Sequence, residues 1–137
     1  MYQQMIFVNL AVNNLEVSRK FFTDLGYALN TQFSDDRSAS VVISDTIVMM
    51  LLDKARFSDF TPKEISDPEK TSEVLIALSA ESRDKVDELV DKALSVGGAT
   101  VQETRDYGFM YGRSFQDPDG HIFEVMWMDP SVVEDQA

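Results

Sequence analysis

Asp117-Pro118-Asp119-Gly120-His121-Ile122-Phe123-Glu124-Val125 reads as a tight turn feeding a strand. Proline fixes φ, glycine tolerates the left-handed region, and the aspartates can bond to their own backbone, so Asp-Pro-Asp-Gly reverses the chain. The runs on either side, 111–116 and 121–127, carry strand-forming side chains. Alternation along the second run puts Phe123 and Val125 on one face and Glu124 with Met126 on the other. Glu124 is therefore an acid among apolar neighbours, and a desolvated carboxylate needs a partner, a proton or a ligand.

Working outward from this hairpin, the chain repeats itself. Residues 5–12 alternate as a strand, with Ile6, Val8, Leu10 and Val12 on one face and Phe7, Asn9 and Ala11 on the other. Asn13 with Glu16 suits a capping box. Leu15, Phe21, Phe22 and Leu25 form a helical stripe that Gly26 ends. Strands are predicted at 27–33, 39–44 and 46–52. Residues 73–80 then alternate again, Ser82 caps a second helix with the stripe Val86, Leu89, Val90, Ala93 and Leu94, and Gly97-Gly98 stops it. Strands at 100–104, 111–116 and 121–127 complete the second set. This predicts an α+β chain of two βαβββ modules forming a shared cavity, at 5–52 and 73–128. A linker or lid at 53–72, with Pro62, Pro68, Phe57 and Phe60, joins them, and a tail covers 129–137.

Each sheet has one face for its helix, and the other must meet something else. Alternation places Phe7, Asn9, Met50, Leu75, Ala77, Ser79, Glu124 and Met126 on the faces away from the helices. That mixture of apolar surface with a few polar atoms suits a small-molecule site.

Composition narrows the function. Twenty-four acidic residues against twelve basic ones give a net charge of −12, which disfavours nucleic acid and anionic membranes as partners and attracts cationic small molecules. No run approaches the roughly 20 apolar residues of a membrane span, and the N-terminal residues lack a secretory pattern. The absence of cysteine removes disulfide and thiolate chemistry and fits the cytoplasm. No glycine-rich phosphate loop or nucleophile with a neighbouring base is evident.

Val12-Asn13-Asn14-Leu15 leading into Ser18, Phe21-Phe22 and Leu25-Gly26, together with the repeated module and Asp117-Pro118-Asp119-Gly120 before Glu124, resembles the vicinal oxygen chelate superfamily. That group includes glyoxalase I, bleomycin-resistance proteins and extradiol dioxygenases. Residues 107–114, Tyr-Gly-Phe-Met-Tyr-Gly-Arg-Ser, and 124–127, Glu-Val-Met-Trp, are similar to the glyoxalase-like subgroup often labelled predicted lactoylglutathione lyase. The resemblance implies four metal-ligand positions, one on the first and one on the last strand of each module, which fall on Phe7, Met50, Leu75 and Glu124. Only Glu124 suits a hard cation, so no cofactor is expected, with zinc or nickel as the divalent alternative. His121, three residues from Glu124, belongs to the opposite strand face and closes the turn.

The leading expectation is a metal-independent small-molecule-binding protein taking an aromatic or cationic ligand. Its pocket is expected from Phe7, Asn9, Met50, Leu75, Ser79, Tyr107, Tyr111, Arg113 and Met126, with Glu124 held by Arg113, Tyr111 or Tyr107. The alternative is a lyase or isomerase with Glu124 as base or residual metal ligand. The resemblance also implies a homodimer.

Overall fold

The computed structural model describes residues 1–135. Its chain forms two compact units, residues 1–67 and a second beginning at Pro68. Each is a four-stranded sheet carrying helices, as the repeat predicts.

The first unit runs β1 (Ile6–Val12), α1 (Leu15–Asp24), β2 (Ala28–Leu29), a 3-10 turn at Thr31–Phe33, β3 (Ser38–Val42), β4 (Ile47–Asp53) and α2 (Lys54–Ser58). The sheet order is β1-β4-β3-β2, with β1 parallel to β4 and the other pairs antiparallel. The α1 cap is Asn14, whose side chain accepts from Val17 N at 3.2 Å, and not the expected Asn13. Leu15, Phe21 and Phe22 bury the stripe of α1, and the two rings meet edge to face at 5.0 Å. Leu10, Met49, Leu51, Ala39 and Val41 are buried on one face of the sheet, and α1 packs on β3 and β4. Burial of each leucine, methionine and valine side chain there stabilises the unit by roughly 1.5–3 kcal/mol. Ile6, expected beneath the helix, is 57% exposed at the start of the edge strand.

Two expectations here are corrected. The strand expected over 27–33 shortens to two residues because Asn30 caps the 3-10 turn, accepting from Gln32 N at 3.0 Å. The segment 53–72, read as a linker or lid, opens with α2. Asp53 caps that helix by accepting from Arg56 N at 2.7 Å, and α2 packs on β1 and β4.

The second unit repeats the order: β5 (Leu75–Ser79), α3 (Arg83–Ser95), β6 (Arg105–Asp106), β7 (Met110–Gln116), β8 (Ile122–Met128) and α4 (Pro130–Asp135). Its sheet order is β5-β8-β7-β6, with β5 parallel to β8. Ser82 caps α3 as predicted, accepting from Lys85 N at 3.1 Å. Val86, Val90 and Ala93 of α3 are buried, as are Phe115, Phe123 and Val125 of the sheet. The Phe115 and Phe123 rings stack at 5.2 Å. The strand expected at 100–104 does not form; an isolated bridge between Ala99 and Gln116 precedes that segment and the short β6 follows it. The expected tail contains α4, and residues 136–137 lie outside the described residues. No helix among the described residues is long and apolar enough to cross a membrane.

Charged groups tie α3 to its sheet. Arg83 makes paired bonds of 2.8 and 2.9 Å to Asp106 and a third to Gly108 O, with its guanidinium over the Tyr111 and Trp127 rings at 5.1 and 5.2 Å. The Arg83 bonds, with help from the Gly108 N–H, hold the Asp106 carboxyl down to about 2. Because that pKa lies below the unfolded value of about 3.9, the Asp106 contribution is fully present above about pH 5 and declines as pH falls towards 2. Thermal unfolding of Asp106→Asn should therefore show a lower Tm than wild type, by an amount constant from pH 8 to 5 and narrowing between pH 5 and 2. A gap unchanged at pH 3 contradicts the ion pair's role.

Gly98 follows α3 where a Cβ would lie 2.8 Å from Ala93 O and 2.9 Å from Gln116 O, both backbone atoms that cannot yield cheaply. Gly98→Ala is expected to cost about 1–3 kcal/mol by overpacking, measured by urea denaturation; a loss under about 0.5 kcal/mol would refute the close approach.

Candidate functional site

Antiparallel register sorts the second sheet into two sides. Ser114 of β7 pairs with Glu124 of β8, and Glu124 pairs on its other side with Ala77 of β5. The next row on the same face is Arg105, Gly112, Met126 and Ser79. Residues one step out of phase, Tyr111, Arg113, Phe123, Val125 and Trp127, face α3.

This register corrects the expected partners of Glu124. Arg113 does not reach it. Its guanidinium lies 2.9 Å from both Asp87 and Asp91 of α3, and Tyr111 Oη donates to the same Asp87 oxygen at 2.7 Å. The Tyr111 hydrogen bond, with the Arg113 bond and charge, lowers the Asp87 pKa, and the same contact raises that of the Tyr111 hydroxyl. Tyr107 is 60% exposed and stacks on Phe109 in the loop between β6 and β7. Three of the expected pocket side chains thus belong to the helix side or to a loop. Leu75, Ser79, Glu124 and Met126 do share the face away from α3.

A recess of about 40 Å³ opens on that face, bordered by Glu124, Met126, Met110, Gly112 and Ser114 and by Gln102, Glu103 and Arg105. Arg113 also borders it, although its guanidinium is engaged on α3. Gly112 makes the room, because no side chain stands between Arg105 and Met126 in their row. A Cβ on Gly112 would lie 3.5 Å from Met126 Cγ. The segment before β6 is held against β7 by Gln102 N donating to Ser114 Oγ at 3.3 Å. Glu124 is partly exposed, and no hydrogen bond or ion pair engages its carboxylate among the described residues.

Sequence reasoning missed Gln102, Glu103 and Arg105. The only available signal was the pairing of 105–106 with 111–112, which becomes visible once the register is known.

In the first unit, Phe7, Asn9 and Met50 share the face opposite Leu10 and Met49: Phe7 pairs with Val48, and Asn9 with Met50. Phe7 is 56% exposed. A separate recess of about 380 Å³ is lined by Asn9, Leu52, Phe57, Phe60 and Thr61, so α2 and the turn after it border this face.

The four positions implied for a metal keep the same register in each unit. Met50 lies two residues beyond the partner of Phe7, and Glu124 two beyond the partner of Leu75. Their donor chemistry does not fit a hard divalent ion. A phenyl ring and an isobutyl group have no lone pairs to give, a thioether prefers soft metals, and one carboxylate remains.

The described residues hold one other group of metal-ligand types, Asp117, Asp119 and His121, with donor atoms within 4.8 Å of one another. Asp117 Oδ1 accepts from the backbone N–H of Asp119 at 3.0 Å and of His121 at 2.9 Å, and Oδ2 lies 2.7 Å from His121 Nδ1. Both oxygens are used within the turn. Gly120, at φ 102°, lets the turn press against Pro68 and Glu69, where a Cβ would come within 3.0 Å of Pro68 O. The geometry is that of a turn clasp, in which His121 bonds to Asp117 as well as closing the chain reversal.

A sequence model of the Glyoxalase/Bleomycin resistance protein/Dioxygenase superfamily matches residues 4–125. Among solved structures, a hypothetical protein from S. aureus is 31% identical, with 93% of this chain and 94% of that one covered at a TM-score of 0.77. A glyoxalase-related enzyme from Fulvimarina pelagi superposes with a TM-score of 0.78 at 18% identity, covering 92% of this chain and 88% of that one. A lactoylglutathione lyase from Agrobacterium tumefaciens gives 0.68 at 15% identity, with 93% and 95% covered. Both of these share the fold. No curated protein matches the sequence significantly. With most of its length matched and its two βαβββ units in register, the chain belongs to the Glyoxalase/Bleomycin resistance protein/Dioxygenase superfamily.

Proposed function

We propose that this protein is a metal-independent small-molecule-binding member of the superfamily, taking an aromatic or cationic ligand on the open face of the second sheet. The observation that carries the reading is Glu124, a carboxylate without a protein partner among the described residues, beside Met110 and Met126 in a recess kept open by Gly112. Methionine side chains adapt to flat apolar groups, and an ammonium against a partly desolvated carboxylate gains a charge-assisted hydrogen bond. The net charge of −12 supports accumulation of cations. The hydrocarbon side chains of Phe7 and Leu75 support binding without a metal.

A catalytic reading draws on the same carboxylate: being partly exposed and unpaired, Glu124 is free to accept a proton. It is tested by assaying methylglyoxal and glutathione turnover in wild type and Glu124→Gln, where turnover lost in the variant replaces the binding reading with a lyase.

The partner we propose besides the ligand is a second copy of the chain. Phe7 and Leu75 are 56% and 57% exposed on β1 and β5, which are edge strands of their sheets. Exposed apolar edges invite association.

Ligand uptake is best read by thermal shift, because Trp127 sits beneath Arg83 on the helix side and does not report on the recess. An aromatic ammonium at about 100 times its Kd should stabilise the protein by roughly 2.7 kcal/mol, and Glu124→Gln should weaken its binding by about tenfold or more. No uptake of any aromatic cation by wild type sinks the proposal.

A further inference from the structure

Five of the six arginines are ion-paired: Arg19 with Glu16, Arg37 with Asp53, Arg56 with Asp59, Arg83 with Asp106, and Arg113 with Asp87 and Asp91. Arg105 has no carboxylate within ion-pair distance among the described residues. Acids outnumber bases two to one in this chain, so a missing partner is not explained by scarcity. Arg105 is also the arginine whose row on the open face runs through Gly112 to Met126, and it borders the same recess as Glu124.

Two opposite charges therefore border one small recess without pairing with each other or with anything else described. Arg105 on β6 and Glu124 on β8 lie on either side of β7 in adjacent rows, roughly 10 Å apart across two strand spacings and roughly 7 Å along the strands. Gly112 leaves the space between them open. A molecule able to engage both ends would satisfy a guanidinium fork and a carboxylate at once, with its body over Met110 and Met126.

We propose that Arg105 is a carboxylate-recognition subsite and that the ligand is a small zwitterion, an amino acid or close relative, with its carboxylate on Arg105 and its ammonium on Glu124. This rests on the recess being the ligand site proposed above and specifies what enters it. The planar guanidinium matches a carboxylate with two parallel hydrogen bonds. Glu103, which borders the same recess, disfavours a multiply charged anion such as phosphate.

The test compares matched pairs that differ only in the carboxylate: phenylalanine with phenethylamine, tryptophan with tryptamine, and leucine with isoamylamine. Affinities are measured by calorimetry on wild type and Arg105→Gln, a change at an exposed side chain that should leave the circular dichroism and Tm intact. At least one amino acid should bind wild type about tenfold or more tighter than its amine, and Arg105→Gln should erase that advantage while leaving the amine within about twofold. Amines that bind as well as their amino acids, or a variant that weakens both members of a pair equally, overturn the zwitterion proposal and leave the cation-binding reading standing. If neither member of any pair binds wild type, the recess is not the ligand site and both readings fall.

Discussion

Everything that this protein can present to a ligand is decided by the two-residue alternation of its strands, locked in register by backbone hydrogen bonds. A β-strand sends successive side chains to opposite faces. Once Ser114 is opposite Glu124, the even-numbered residues of β7 and β8 share one side and the odd-numbered residues the other. The odd set meets α3 and is consumed in packing and charge pairing: Phe115 on Phe123, and Tyr111 and Arg113 on Asp87. The even set is left to the open face. Slipping the hairpin by one residue would bury Glu124 beneath the helix and turn Phe123 outward, and the buried acid would then cost several kcal/mol.

That constraint also separates what the sequence made legible from what it hid. The strand-helix-strand order of each unit, the Ser82 cap, the glycine stops and the orientation of Phe7, Met50, Leu75 and Glu124 follow from local patterns, and the structure has them. Patterns within one strand say nothing about phase between strands. Arg113 therefore looked available to Glu124 on a neighbouring strand although the register places it on the other side. The same ignorance hid Arg105, whose position follows only from its pairing with Gly112. Short-range polar competition explains two further departures. Asn30 bends the chain into a 3-10 turn before a strand can extend, and Asp53 converts the end of β4 into the start of α2.

The two units share a plan but differ in chemistry. In the first, α2 and the residues after it border the face that carries Asn9 and Leu52, giving a recess with two phenyl rings. In the second, the recess is defined by charge and by an absent side chain at Gly112. Several acidic residues are engaged in structure: Asp106 and Asp87 anchor α3, and Asp117 clasps its own turn with both oxygens. Glu124 and Arg105 have no such partner among the described residues and border one recess, which is why a ligand is proposed there.

Of the four positions where the superfamily's metal ligands would fall, only Glu124 carries a carboxylate, and Phe7, Met50 and Leu75 carry hydrocarbon or a thioether. Elemental analysis of protein purified without chelators and then dialysed against one equivalent of zinc or nickel addresses this most directly. The account predicts far less than one ion per chain, and any residual metal should be insensitive to Glu124→Gln. One tightly held divalent ion per chain, lost in Glu124→Gln but retained in Asp119→Asn, would contradict it.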